Sequence, residues 1–197
     1  MSHMMIKTDR RRLLQLIGAG ALGSTLPLGM MTSANAANLR IAMVVKNLGN
    51  SYFDACRDGA NEAAKELGGI EIIYTAPTKA TPEDQIAVID ALIAQKVDGI
   101  MVSSNDANAL VPVGKKAMQR GIKVISFDSA IAKDGRIMHL NASSTALIGA
   151  KQVQMIAKTI KGEGEIAILS AASTMTNQNS WIAAMKDEIG RAHVWNS

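Results

Sequence analysis

IAMVVKNLGNSYFDACRDGANEAAKELGG, residues 41–69, holds one complete strand–loop–helix unit. An apolar strand runs directly into Lys46, Asn47 and a Gly/Asn turn, and an amphipathic helix follows at once. Similar units repeat down the chain. Strands alternating with helices predict an α/β fold built on a parallel sheet with helices on both faces. In such sheets small molecules bind outside the carboxyl ends of the strands, where the polar loop falls here.

Working outward, residues 39–45 are mostly apolar, as a strand buried on both faces requires. On the helix predicted over 51–67, Phe53, Cys56, Ala60, Ala63, Ala64 and Leu67 share one face. Gly68 and Gly69 end it, as glycine past a helix terminus commonly does. A second strand is expected over 70–75. Thr81 then caps a helix that begins at Pro82 and runs to Gln95, with Ile86, Ile89, Leu92 and Ile93 as its inner stripe. Residues 99–103 read as a third strand, and Asn105 or Asp106 as the cap of a helix reaching Arg120. A fourth strand is expected over 123–127 and a fifth over 136–140. A helix over 144–160, a strand over 165–170 and a helix starting at 179–186 open a second lobe.

The two ends read differently. Lys7 and Arg10–Arg12, an uncharged stretch to about Met31, and Ala34-Asn35-Ala36 have the three parts of a secretory signal peptide. Cleavage is expected after Ala36, which sends the chain to the periplasm. The paired arginines also resemble a twin-arginine export signal. Residues 188–197, EIGRAHVWNS, follow what the codons of a common DNA adapter would encode, so they are expected to be a non-native tail; a helix end with a polar tail is the plainer alternative. The resulting division is 1–36 signal, 37–140 N-terminal lobe, 141–187 the start of a C-terminal lobe, and 188–197 tail.

Composition narrows the function. The net charge is +4, of which four basic residues and one acid in the signal supply +3, so the remainder is close to neutral. With 3% aromatics and no basic stripe, nucleic-acid binding is not expected. Cys56 is the single cysteine, so no internal disulfide can form, and its neighbours on the helix suggest packing. No G-x-S-x-G turn, H-E-x-x-H, P-loop or Cys/His metal cluster occurs, so neither catalysis nor a cofactor is expected. Gly18–Gly23 mimics a dinucleotide fingerprint but follows no strand.

Polar residues gather where strands end: Lys46-Asn47, Ser103-Ser104-Asn105-Asp106, Asp128-Ser129 and Thr176-Asn177-Gln178-Asn179. Two lobes facing each other across these edges would enclose amide, carboxylate and ammonium groups. That set suits a sugar or polyol, because carboxylates and amides accept from adjacent hydroxyls while lysine donates. Each residue also has an ordinary reading: Asn105 and Asp106 as helix caps, Lys46 as a solvated loop residue, Asn177-Gln178-Asn179 as a plain loop and helix start.

VVKNLGN at 44–50, EAAKELGG at 62–69, KKAMQRGIKVISFDS at 115–129 and TNQNSWIAAMK at 176–186 resemble periplasmic substrate-binding proteins of ABC sugar importers, in the branch with rhamnose-binding and autoinducer-2-binding proteins. The resemblance implies the type I fold, two Rossmann-like lobes with parallel sheets that close on ligand, here with the second lobe incomplete. It also implies a monomer that delivers a small rhamnose-like sugar to an importer permease. Lys46 and Asp128 match ligand-contacting residues of the autoinducer-2 branch. Asn177 and Gln178 match its Asp-Gln pair, with Asn177 standing where that branch has aspartate, a departure that leans toward a sugar. Asn47 joins the set beside Lys46; Asn105 and Phe53 enter as a polar contact and an apolar wall. An autoinducer-2 receptor, or a sugar-sensing regulator of the lactose-repressor type, is the alternative. The regulator would need an N-terminal helix-turn-helix where the export signal stands, and a Rossmann-type enzyme would need a Gly-rich phosphate loop at 47–51.

Overall fold

The computed structural model of the chain describes residues 38–194. The expected signal, its cleavage after Ala36 and residues 195–197 lie outside them. Five strands form one parallel sheet: β1 (Leu39–Val44), β2 (Ile70–Thr75), β3 (Gly99–Val102), β4 (Lys123–Phe127) and β5 (Met138–Leu140). Their spatial order is β2-β1-β3-β4-β5. The chain therefore leaves β1 to one side for β2 and crosses back over it to β3. Loops after β1 and β3 diverge at that reversal, and a crevice opens at the carboxyl edge.

Side-chain alternation along β1 sorts the core. Ala42 and Val44 face one side, where they pack with Ile89, Leu92 and Ile93 of α2 (Pro82–Ala94) and Val113 and Ala117 of α3 (Val111–Gln119). Met43 and Val45 face the other, with Phe53 of α1 (Ser51–Leu67) and Phe127. On α1 the inward stripe is Phe53, Cys56, Ala60 and Ala64; Ala63 and Leu67, expected to share it, are exposed because the helix leans on the sheet through a narrower strip.

Asn50 caps α1 and Thr81 caps α2 through their side chains, the latter with Pro82 in the first turn. α3 begins later than expected. Pro112 has no N–H to give the carbonyl four residues back, so regular helix cannot extend from Asp106. Asp106 instead accepts from the N–H groups of Asn108 and Ala109 in a preceding turn, at 2.8 and 2.9 Å. β5 is also shorter than expected, since residues 133–135 form a single 3-10 turn whose Gly135 backbone presses on Gly114 of α3 too closely for a Cβ.

Beyond β5, α4 (Thr145–Thr159) and α5 (Thr176–Val194) pack together, with Gly149 against Ala184 leaving no room for a side chain. Two expectations are corrected here. Residues 165–170 do not form a strand: no described strand lies beside them to complete a ladder, and Leu169 is 98% exposed. Thr176-Asn177-Gln178-Asn179 is not a loop but the first turn of α5, which continues through 188–194. No described helix is long and apolar enough to cross a membrane.

Gln85 ties this frame together at the carboxyl edge. It is fully buried on the inner stripe of α2. Its Nε2 donates to the Ser103 carbonyl at 2.8 Å, and its Oε1 accepts from the Asn105 N–H at 2.8 Å. One side chain thus satisfies two backbone groups where β3 ends. Gln85→Leu leaves both unpaired in the core and is expected to lower unfolding free energy by about 2 kcal/mol, read by urea denaturation.

Candidate functional site

Each strand that ends at the crevice delivers a polar residue. Lys46 follows β1, Ser103 follows β3 and Asp128 follows β4. Lys46 is not a solvated loop lysine: it is 8% exposed. Its ammonium lies 3.4 Å from Asp128 Oδ2, and the Asp128 side chain is equally buried. The Ser103 hydroxyl donates to the same Oδ2 at 2.7 Å. Asp128 has a φ of 57°, in the left-handed region that Asp and Asn tolerate better than most side chains. That turn lifts its carboxylate off the end of β4 and toward Lys46.

α5 closes the circuit. Asn177, in its first turn, donates through Nδ2 to Asp128 Oδ1 at 2.8 Å. Its Oδ1 accepts from Lys46 Nζ at 3.3 Å and from the Gln178 N–H at 2.8 Å. The second of these N–H groups belongs to a first helical turn and has no partner within the helix. Gln178 turns the other way, its Oε1 accepting from the Ser170 hydroxyl and the Ala171 N–H at 2.7 and 2.8 Å.

A cavity of about 460 Å3 opens over this network. Of the expected site residues, Lys46, Asn47, Phe53, Asp128, Asn177 and Gln178 line it. Asn47 is an exposed rim residue, its amide turned to the Leu48 carbonyl. Asn105 is not brought to the cavity: it is fully buried, and its backbone bonds to Gln85 and to the Thr174 hydroxyl. Sequence reasoning missed Tyr52, Met175 and Trp181, which also line the wall. Tyr52 sits beside Phe53 and could have been read from the loop–helix junction; Trp181 lies one turn beyond Asn177 on α5, a spacing visible only once the helix start is placed. The two phenylalanines of the chain, Phe53 and Phe127, meet edge to face at 6.2 Å behind this wall, and Tyr52 continues the row.

Electrostatically the site is a compensated pair. Lys46 and Asp128 are the charged residues of the cavity lining. Burial pulls the Lys46 ammonium below its usual value, against the Asp128 charge and hydrogen bond that raise it. Partial burial, with Cys56 and Asp128 nearby, pushes the Tyr52 hydroxyl up to about 12, so it stays a proton donor at neutral pH. Among the described residues no cluster of His, Cys, Asp and Glu could hold a metal ion. A larger groove of about 580 Å3, between α4, α5 and residues 165–169, is lined mostly by apolar side chains, with Gln152, Glu165 and Gln178, and has no pairing of opposite charges.

A profile described as a periplasmic binding protein domain matches residues 41–196. The chain belongs to the periplasmic binding protein family. It is 30% identical over 197 residues to the D-ribose/D-allose-binding protein of Pseudomonas aeruginosa, across 95% of this chain and 61% of that protein. It is 31% identical to the ribose import binding protein RbsB of Escherichia coli, across 79% of this chain and 50% of that one. Among solved structures, the solute-binding protein of an ABC transporter from Clostridium phytofermentas with bound L-rhamnose superposes with a TM-score of 0.73 at 37% identity, across 78% of this chain and 47% of that one. The chain thus spans about half to three-fifths of the length of these relatives. Family membership accords with the type I fold expected from the sequence.

The depressed Lys46 value sets a direction with pH. A lysine that binds its proton less tightly folded than unfolded weighs against folding while charged, and that penalty lifts as pH rises from the lowered value toward 10.5. The stability of the wild type relative to Lys46→Met should therefore improve in the alkaline range. At pH 7, Lys46→Met strands a buried carboxylate and is expected to lose about 3 kcal/mol. Adding Asp128→Asn, which suits the left-handed backbone, should recover most of that loss in thermal or urea melts.

Proposed function

We propose that this chain carries the ligand-binding crevice of an extracytoplasmic receptor that captures a small neutral sugar for an ABC importer. The observation that carries the reading is the buried Lys46–Asp128 pair at the sheet's carboxyl edge, joined by Ser103 and faced by Asn177. A hydroxyl donates and accepts at once, so neighbouring hydroxyls of a sugar can give to the Asp128 carboxylate and take from the Lys46 ammonium. Because the two charges cancel, the site favours an uncharged ligand over a sugar phosphate or sugar acid. Phe53, Tyr52 and Trp181 offer flat apolar surface to the C–H face of a ring.

Several features support the finer reading. The relative with bound L-rhamnose has the higher identity of those compared, and a 6-deoxy sugar has a methyl group that suits Met175 and the aromatic wall. The proposed ligand-binding residues are Lys46, Asn47, Phe53, Asp128, Asn177 and Gln178, with Asn105 holding the β3 loop from beneath. The lobe boundary is proposed at residues 140 and 141, the signal at 1–36 with export to the periplasm, and the working unit as a monomer that meets an importer permease. The chain binds and releases its ligand unchanged.

The test is an NMR titration of the chain with L-rhamnose, D-ribose and a sugar phosphate. Resonances of Lys46, Asp128 and Asn177 are expected to shift saturably with the neutral sugars, most with L-rhamnose, and not with the phosphate. Asp128→Ala should abolish the shifts. Shifts absent at tens of millimolar sugar, roughly the weakest binding a site of this kind would show, would refute the reading.

A further inference from the structure

The polar network contains an element that a sugar-binding role does not by itself require. Asn177 touches both charges of the site at once, taking a hydrogen bond from Lys46 and giving one to Asp128. A carboxamide is an uncharged group that donates from one atom and accepts at another on the same carbon, much as a pair of neighbouring hydroxyls does. We propose that the Asn177 carboxamide is an internal surrogate ligand: it latches the first turn of α5 onto the Lys46–Asp128 pair, and a sugar must displace it to bind. The inference rests on the reading that Lys46 and Asp128 hold the ligand.

Three observations support a latch rather than an incidental contact. All three partners are held from outside the contact: Asp128 by Ser103 and its left-handed backbone, Asn177 by the Gln178 N–H, and Lys46 by burial. A second tie fixes the same region, since the Thr174 hydroxyl donates to the Asn105 carbonyl at 3.3 Å. Met175, between these two ties, is 5% exposed, so the turn is seated on the sheet edge and not merely near it.

Two consequences follow. First, the latch satisfies a buried ion pair that would otherwise demand water, so closing needs no sugar. Second, it sets a threshold for ligands: a competitor must replace the Asn177 bonds to both charges, and vicinal hydroxyls do so from two atoms where a lone hydroxyl has one. Asn177 is on this account a specificity-determining residue through what it excludes.

Aspartate at this position would behave differently. The new carboxylate would keep the bond from Lys46 but face Asp128 with like charge, so the latch would hold only when one of the two is protonated. The titratable groups around it are Lys46 after β1, Asp128 after β4, Tyr52 on α1 and His139 on β5. Wild-type protein followed over the same pH range controls for the last two.

Trp181 reports the state of the latch, because it lines the cavity one turn from Asn177. The experiment measures acrylamide quenching of Trp181 fluorescence in a Trp195→Phe background, with no sugar added. Asn177→Ala is expected to raise the quenching constant at least about twofold at pH 7. Asn177→Asp should do the same at pH 7 and return toward the wild-type value near about pH 4, where carboxylates take up protons. Circular dichroism confirms that each variant is folded. Quenching equal to wild type in both variants at pH 7 would overturn the latch. Failure of the sugar titration would overturn the receptor reading instead, since the quenching experiment involves no sugar.

Discussion

A lysine and an aspartate held out of water are the constraint around which this chain is arranged. Neither Lys46 nor Asp128 can be taken from solvent alone. They are tolerable together because two non-adjacent strands, β1 and β4, end at the same edge with β3 between them. The strand order sets their approach, and β3 contributes Ser103 as the third member. Gln85 then holds the loop that leaves β3, so a glutamine inside a helix core helps fix the geometry of charges it does not touch.

The sheet itself was largely legible in the sequence. Residues of β1 alternate between the two core faces, and the expected helix cap at Thr81 acts through short-range chemistry that sequence alone displays, as does the cap at Asn50, expected only as a turn residue. The strand-end position of Lys46 and Asp128 followed directly from that pattern. What was not legible depended on contacts distant in sequence. The hydrogen bond from Lys46 to Asn177 joins residues 131 positions apart. Pro112 delayed α3, a breaker whose effect the apparent cap at Asp106 concealed.

Residues 165–170 show the limit of local reading most clearly. Their composition is that of a strand, yet a strand is a cooperative object that exists only beside another. Likewise 176–179 are polar and loop-like in composition, but they begin α5, where the Asn177 side chain satisfies the Gln178 N–H of the first turn. In both places propensity described the residues correctly and their neighbours decided the outcome.

The left-handed backbone at Asp128 bears on how such a site can drift over generations. Aspartate, asparagine and glycine sit more comfortably than most residues in that conformation, and asparagine and glycine are each one base change from an aspartate codon. The backbone turn can therefore survive a mutation that erases the carboxylate, although the buried Lys46 ammonium then loses its counter-charge. The backbone at this turn is open to one-step revision, whereas Gln85, locked between two backbone groups in the core, has no such neutral neighbour.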